Sequence, residues 1–175
     1  MIARANGRVQ FPARFQLVAA INPCPCGYLG EPSGRCRCTP EQIQRYRNKL
    51  SGPLLDRIDL HVTVAREATA LSPAHLPGTD TATAAAQVAR ARQRQQQRQN
   101  CANAFLDLPG LRRHCTLSTA DEHWLEAACE RLSLSLRAAH RLLKVARSLA
   151  DLEGVAGIHR EHLAEAMQYR PAAPP

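Results

Sequence analysis

The chain has 175 residues, of which 45% are hydrophobic, enough for one domain or for a small domain with part of another. Lys and Arg total 23 against 15 acids, and the net charge of +8 favours a polyanionic partner such as nucleic acid or nucleotide. No run approaches the ~20 apolar residues that a membrane-spanning helix needs, and the N-terminus lacks the apolar stretch of a signal peptide. We therefore expect a cytoplasmic protein.

The first predicted elements are two strands with a helix between them. Residues 15–22, FQLVAAIN, form an apolar run without alternation, which is typical of a strand buried on both faces of a parallel sheet. Thr39 and Gln42 form a capping box, which predicts the start of a helix. Alternating apolar residues from Ile58 to Val64 predict a second strand. Because two strands are too few for a sheet, residues 1–64 resemble the end of a larger α/β domain.

A proline-rich linker at residues 65–80 precedes a helical region at residues 81–170. The helical periodicity of this region places Leu132 and Leu152 on apolar helix faces that are expected to be buried. The tail PAAPP, residues 171–175, is expected to be disordered. The predicted helices are residues 81–99, a helix opened by a capping box of Thr119 and Glu122, a helix from Ser135 to Glu153, and a last helix from about His159 to Tyr169.

Seven cysteines, an odd number in a chain without a signal peptide, indicate reduced thiols or metal ligands rather than disulfides. Two CxC pairs enclose a loop of nine residues, and four thiolates suit tetrahedral zinc. CxC is a less usual zinc spacing than CxxC, so a reduced loop without metal is the alternative. The candidate ligands are Cys24, Cys26, Cys36 and Cys38. The remaining cysteines are expected to be structural: Cys101, Cys115 and Cys129.

Several blocks of the sequence resemble one known family. Three of them are FPARFQLVAAINPCPCGY, RCRCTPEQIQRYRNKLSGPLLDRIDLHV and SLRAAHRLLKVARSLADLEG, and a fourth is the C-terminal EHLAEAMQYR. They are similar to consecutive blocks of the ComM-type, Mg-chelatase-like AAA+ ATPases, and Asn100 to Arg113 is the least typical stretch. The resemblance implies a mixed α/β fragment, the end of an AAA+ P-loop NTPase core at residues 1–64, followed by an all-α helical lid domain at residues 81–170.

The resemblance implies a sensor 1 role for Asn22. In this family a polar residue at the end of a strand holds the water that attacks the γ-phosphate, or contacts that phosphate directly. From the residues alone, Asn22 before Pro23 is better explained as a residue that starts a turn, because Asn-Pro is a common turn starter.

The resemblance also implies an arginine finger. Within the segment LLDRID, Arg57 would contact the nucleotide of a neighbouring subunit and stabilise the charge that develops during phosphoryl transfer, a contribution of ~10³-fold or more. The alternative is a surface arginine paired with Asp56 or Asp59.

The position that matches sensor 2 is Arg137, in the first turn of the helix that Ser135 opens. A helix N-terminus attracts anions and the guanidinium adds a donor fork, so Arg137 would bind nucleotide. Arg141, one helical turn later, would also bind nucleotide, and Lys144 continues this row of basic residues along the helix. The alternative is a solvated basic face of an amphipathic helix.

A phosphate-binding loop is missing from this sequence, because no GxxxxGK[ST] occurs and no apolar strand ends in paired acids before Ala3. The ATP and Mg²⁺ that the family uses therefore cannot be assigned to this polypeptide by itself. We predict that the chain alone is inactive as an ATPase.

The run RARQRQQQR, residues 90–98, places three arginines one helical turn apart. Arg90, Arg94 and Arg98 are candidates for contacts with DNA phosphates. The alternative is a solvated helix face.

Together these features favour the nucleotide-sensing part of a hexameric ring motor, a homo-oligomer that acts on DNA, in the ComM case during branch migration in natural transformation. One alternative is a stand-alone zinc-stabilised DNA-binding module. The other, which follows the chelatase resemblance, is a subunit that drives metal insertion into a tetrapyrrole.

Overall fold

Helices dominate the part of the chain that the structure describes. A computed structural model describes residues 2–4, 7–10, 15–55, 57–64 and 78–170. The chain divides into a cysteine unit, Met1–Leu50, and a helical unit, Ser51–Pro175. Most of the predicted linker and the whole predicted disordered tail lie outside the described residues, so those boundaries stay predictions. Among the described helices, none is long and apolar enough to cross a membrane.

In its described residues, the cysteine unit contains a two-stranded sheet and one helix. Strands β1 (Ile2–Arg4) and β2 (Gly7–Val9) pair antiparallel, with Ile2 opposite Val9, a pairing that the sequence analysis did not predict. Helix α1 spans Pro40–Arg47. The Thr39 hydroxyl accepts a hydrogen bond from the Gln42 amide at 3.3 Å, and the Gln42 side chain accepts one from the Thr39 amide at 3.0 Å. The predicted capping box is therefore confirmed.

Neither predicted strand forms. Residues 15–22 have no ladder partner, and Phe15 and Val18 are 77% and 83% exposed, which corrects the expected buried strand. Residues 58–64 are also not a strand: the Ile58 amide bonds the Leu55 carbonyl at 3.0 Å and the His61 amide bonds the Tyr169 carbonyl at 2.8 Å, and neither bond belongs to a strand ladder. An apolar run becomes a strand only beside another strand, and the described residues offer none to either segment.

The helical unit packs around one long helix, α6 (Leu136–Glu153). Ser135 caps it as predicted, and Gly154 ends it with φ +95°, a left-handed conformation that glycine adopts without strain. Helix α6 contacts α3 (Thr81–Gln99), α4 (Leu108–His114), α7 (Arg160–Gln168) and a 3₁₀ turn at Asn103–Phe105. The helices of this unit are α2 (Gly52–Leu55), α3 (Thr81–Gln99), α4 (Leu108–His114), α5 (Thr119–Arg131), α6 (Leu136–Glu153) and α7 (Arg160–Gln168).

Two details of the predicted helices need correction. The N-cap of α5 is Ser118, whose hydroxyl accepts from the Asp121 amide at 3.2 Å, so the predicted Thr119 box does not form and Thr119 is the first helical residue. Leu132 and Leu152 are 51% and 45% exposed rather than buried, since both lie at the final turn of their helices, beyond the packed core. The buried core consists of Leu106, Leu111, Cys115, Leu125, Leu142, Ala146, Ile158, Leu163 and Ala166.

Candidate metal centre and nucleotide-sensing residues

The cysteine loop is folded by tight turns that follow one another directly. The Gly27 amide bonds the Cys24 carbonyl at 3.0 Å, and the Glu31 amide bonds the Tyr28 carbonyl at 3.1 Å. Pro25 fixes φ within the first turn, and Gly27 has φ +82°, which an L side chain rarely adopts. These turns bring the end of the loop back towards its beginning.

The loop collects all four predicted ligands. Their Sγ atoms lie within 4.8 Å of one another, and Cys24 is fully buried. The Sγ separations are 3.4 Å for Cys24–Cys26, 3.8 Å for Cys24–Cys36 and 3.7 Å for Cys26–Cys36. A disulfide has an S–S distance of about 2.05 Å. A tetrahedral zinc ion with Zn–S bonds of about 2.3 Å instead holds its sulfur ligands about 3.8 Å apart. The separations therefore fit a four-thiolate metal site that also includes Cys38.

The electrostatics of the cluster are those of thiols held too close to ionise together. The backbone amide of Tyr28 and the thiol of Cys24 stabilise the Cys26 thiolate and lower its pKa to about 6. For Cys38 the backbone amide of Cys26 favours the thiolate, but the sulfurs of Cys26 and Cys24 and desolvation outweigh it and raise the pKa to about 12. A bound cation would remove this conflict, because its charge stabilises all four thiolates at once.

Asn22, the residue that matches sensor 1, lies in the cysteine unit two residues before Cys24. Its side chain is exposed and lies beside Gly27, where a Cβ on that glycine would be 3.8 Å from the Asn22 amide. Asn22 thus borders the first turn of the metal loop. Its role as a sensor stays a prediction.

Arg57 is exposed just beyond α2. Its Nη1 donates to the Pro53 carbonyl at 2.6 Å, so the guanidinium closes the C-terminal end of that short helix. The alternative pairing with Asp59 is not what the structure has, because Asp59 pairs with Arg141, with Oδ1 and Nε 3.6 Å apart. Asp56 lies outside the described residues.

Arg137 is exposed in the first turn of α6, where the Ser135 hydroxyl already accepts from the Ala138 amide at 3.2 Å. Arg141 lies one turn further along and is partly buried, and its contact with Asp59 ties the segment after Arg57 to α6. Lys144 donates to the Ala104 carbonyl at 3.0 Å and is therefore engaged within the unit. Of this stripe, Arg137 is the residue that extends into solvent.

The arginine stripe of α3, which consists of Arg90, Arg94 and Arg98, is partly engaged with α6. Arg90 is exposed as expected, but Arg94 Nη1 donates to the Asp151 carbonyl at 2.9 Å. Arg98 makes a bidentate pair with the Asp151 carboxylate at 2.6 and 2.9 Å. Arg98 therefore compensates the buried carboxylate of Asp151, which needs a cationic partner, and Arg94 contacts the backbone of the same residue. The predicted contacts of this stripe with DNA stay predictions.

The sequence analysis missed the network around that carboxylate. Asp151 is fully buried, and besides Arg98 it accepts from Arg147 Nη2 at 3.0 Å and from Asn103 Nδ2 at 2.8 Å. Arg147 also donates to the Val155 and Ala156 carbonyls beyond α6, at 2.9 and 2.7 Å. The available signal was the i, i+4 pair of Arg147 and Asp151 on the apolar face of α6.

Comparison with known proteins connects both units to one family. Residues 78–170 match the family profile described as magnesium chelatase, subunit ChlI C-terminal, and residues 1–71 match the one described as magnesium chelatase, subunit ChlI. The chain is 48% identical to YifB of Escherichia coli over 171 residues and 45% identical to the competence protein ComM of Haemophilus influenzae over 172 residues. Each alignment covers 97% of this chain and 33% of the relative.

A Mycobacterium tuberculosis relative, Rv2897c, is 42% identical over 172 residues. The chain thus spans about a third of the length of the curated relatives it matches. The helical unit agrees with the helical region that the sequence predicted, whereas the α/β core is not seen in the described residues. On the two profile matches and these identities, the chain belongs to the Mg-chelatase (ChlI) family and is similar to ComM and YifB.

Proposed function

We propose that this chain supplies the nucleotide-sensing and inter-subunit elements of an ATP-driven ring motor that acts on DNA. The observation that carries the proposal is the pair of exposed arginines that match the arginine finger and sensor 2, Arg57 and Arg137. Neither makes an ion pair with an acid within the described residues. Both guanidiniums are thus able to take a phosphate oxygen as their anionic partner.

The two arginines have different roles in the proposed motor. Arg57 acts on the nucleotide of a neighbouring subunit, so it lowers the energy of the transition state more than that of the bound ground state. Arg137 binds the phosphate in its own subunit from the N-terminus of α6, with Arg141 behind it, and Asn22 positions the attacking water. In this proposal the phosphate-binding loop, ATP and Mg²⁺ are supplied by residues outside this sequence, which has no GxxxxGK[ST].

The test uses a chimera in which this chain replaces the matching third of E. coli YifB. Arg57→Ala should reduce ATP hydrolysis by ~10³-fold or more with nucleotide affinity nearly unchanged, whereas Arg137→Ala should weaken nucleotide binding as well. Arg131→Ala, an exposed arginine on α5, is the matched control and should leave both quantities unchanged.

Mixing the chimeric subunits separates a role in trans from a structural role. Arg57→Ala subunits mixed with subunits defective in the phosphate loop should regain activity, because each supplies what its neighbour lacks. If Arg57→Ala instead lowers nucleotide affinity and mixing restores nothing, the arginine acts only through its bond to the Pro53 carbonyl.

The metal centre has a structural part in this function. The four thiolates bind one zinc and fix the loop between Asn22 and α1, with no open position for catalysis. Metal analysis should find one zinc per chain, and substitution with cobalt should give the absorption of a tetrahedral thiolate complex. Cys36→Ser should lose the metal, while Cys129→Ser, the control in the helical unit, should keep it. A zinc-free wild-type chain after purification with zinc present would disprove the site.

A further inference from the structure

The positive charge of the chain is concentrated in the cysteine unit. Residues 1–50 hold eight basic residues against two acids, whereas residues 51–175 hold fifteen basic residues against thirteen acids. The first 50 residues therefore contribute +6 of the net charge of +8. Positive charge concentrated in one unit creates a local electrostatic potential that attracts an anionic partner. The same charge spread over the whole chain would create a weaker one.

The two units use their arginines differently. In the helical unit Arg98 and Arg147 pair with Asp151, Arg160 pairs with Asp121, and Arg141 pairs with Asp59. Among the described residues of the cysteine unit, none of the exposed cations makes an ion pair. These five cations are Arg35, Arg37, Arg45, Arg47 and Lys49, and we call them the basic surface.

The basic surface is built on the metal loop and on the helix that follows it. Arg35 and Arg37 flank Cys36 directly, and Thr39 caps α1 one residue after Cys38. The other three cations lie at the end of α1, where Arg45 and Arg47 also complement the helix dipole. The dipole gives no reason for Arg35 and Arg37, which are in the loop. One acid of the same helix, Glu41, lies at its opposite end.

The chemistry of this surface favours a phosphate backbone over exposed bases. Both tyrosines of the unit's described part already lie under cations, Tyr28 under Arg35 at 5.9 Å and Tyr46 under Lys49 at 6.0 Å. Neither ring is thus open on both faces to a stacked base. Four of the five cations are arginines, whose forks match phosphate oxygens.

We infer that the basic surface binds the phosphate backbone of DNA without regard to sequence. This inference rests on the proposed DNA-acting function and assigns the contact to the zinc loop and α1, in place of the α3 stripe whose Arg94 and Arg98 are engaged inside the protein. It concerns DNA binding without nucleotide, so its test does not depend on ATP hydrolysis.

The test measures the salt dependence of binding by the zinc-loaded 175-residue chain to a labelled DNA duplex, by fluorescence anisotropy without nucleotide. Five phosphate contacts predict a slope of log K against log salt of about −4.5, or about 500-fold weaker binding between 50 and 200 mM salt. The double variant Arg35→Gln/Arg37→Gln should reduce the slope to about −2.7 and weaken binding about 60-fold at 0.1 M salt. Equal zinc content in variant and wild type would show that the loop is still folded.

The matched control is Arg112→Gln/Arg113→Gln, which removes the same charge from two exposed residues of α4. It should leave the slope unchanged. An equal effect in both double variants, or none in the loop variant, would overturn the assignment while leaving a DNA-acting motor possible. A chain that binds phosphatidylserine vesicles but no DNA would overturn the inference too, and the hydrolysis and mixing results of the chimera would still decide the proposed function separately.

Discussion

The buried carboxylate of Asp151 is the point at which one substitution should destabilise the helical unit most. It is fully buried and accepts four hydrogen bonds, two from Arg98, one from Arg147 and one from Asn103. Asp151→Asn keeps the shape of the side chain but removes its charge. Arg147, which is 2% exposed, would then be a buried cation without its counter-ion.

The magnitude follows from that unpaired cation. Removing one partner of a buried ion pair costs about 3–5 kcal/mol, because the remaining charge stays desolvated. For a domain of this size, each kcal/mol shifts Tm by about 4–8 °C, so the variant should melt roughly 12 °C or more below wild type. The control is Asp121→Asn, which breaks an ion pair in which Arg160 is half-exposed. It should lower the free energy of unfolding much less.

The assay is urea unfolding followed by the fluorescence of Trp124. This is the chain's one tryptophan, and it packs against the core of the helical unit. Burial acts to raise the pKa of Asp151, but the donors of Arg98 and Asn103 and the nearby guanidinium charges hold that pKa below its ordinary value.

The pH dependence follows from the lowered pKa. A carboxylate whose pKa is lower in the folded state stabilises that state at pH values above its unfolded-state pKa of about 4. This stabilisation is lost as the pH falls through the folded-state pKa. The difference in the free energy of unfolding between wild type and Asp151→Asn should therefore be largest at pH 7 and should decrease below about pH 4. The reasoning would be refuted if, at pH 7, Asp151→Asn lowered the free energy of unfolding by no more than Asp121→Asn does.

Three further predictions concern the chain as a whole. The purified chain should show no ATP hydrolysis, because it has no GxxxxGK[ST] loop, and turnover that copurifies with it would contradict this. Residues 81–170 should give a helical circular-dichroism spectrum alone, because the buried core residues lie within them, and a disordered spectrum would count against it. Gly154→Ala should lower Tm, since it forces a side chain to φ +95° and sets its Cβ 2.9 Å from Arg94 Nη2, whereas Gly157→Ala, which has room, should not.

Several helix boundaries could be predicted from local signals. Thr39 and Ser135 cap helices where the sequence placed them, and Gly154 ends α6, because a cap is decided by residues within one turn of it. The cysteine cluster was predictable for a similar reason, since Pro25 and Gly27 fold the loop between its ligands.

What could not be predicted depends on partners distant in the chain. The run at residues 15–22 has strand composition, but a strand forms only beside another strand. Arg98 and Asp151 are 53 residues apart, and nothing local distinguishes Arg98 from the exposed Arg90 two turns earlier. Asn103, in the stretch least typical of the family, joins the same network through a 3₁₀ turn that no capping signal marked.

The same network bears on how the helical unit would respond to a nucleotide bound at Arg137. Arg137 lies at the exposed start of α6, and Asp151 near its end, about 21 Å away along the helix, holds α3 and the chain beyond α6 through Arg98 and Arg147. If Arg137 senses a phosphate, the rest of the helical unit can respond only while α6 keeps this attachment. In the YifB chimera, Asp151→Asn should therefore lower ATP hydrolysis about 10- to 100-fold, the cost of a catalytic group misplaced by about 1 Å.

This prediction is tested below the melting temperature of the variant, with Trp124 fluorescence showing that the unit is folded. Because Asp151 lies away from the exposed end of α6, nucleotide affinity should change less than it does in Arg137→Ala. Asp121→Asn, which leaves α6 attached to α3, should hydrolyse ATP like the parent chimera. Full activity in a folded Asp151→Asn chimera would show that Arg137 acts without the rest of the helical unit, and that the network serves stability alone.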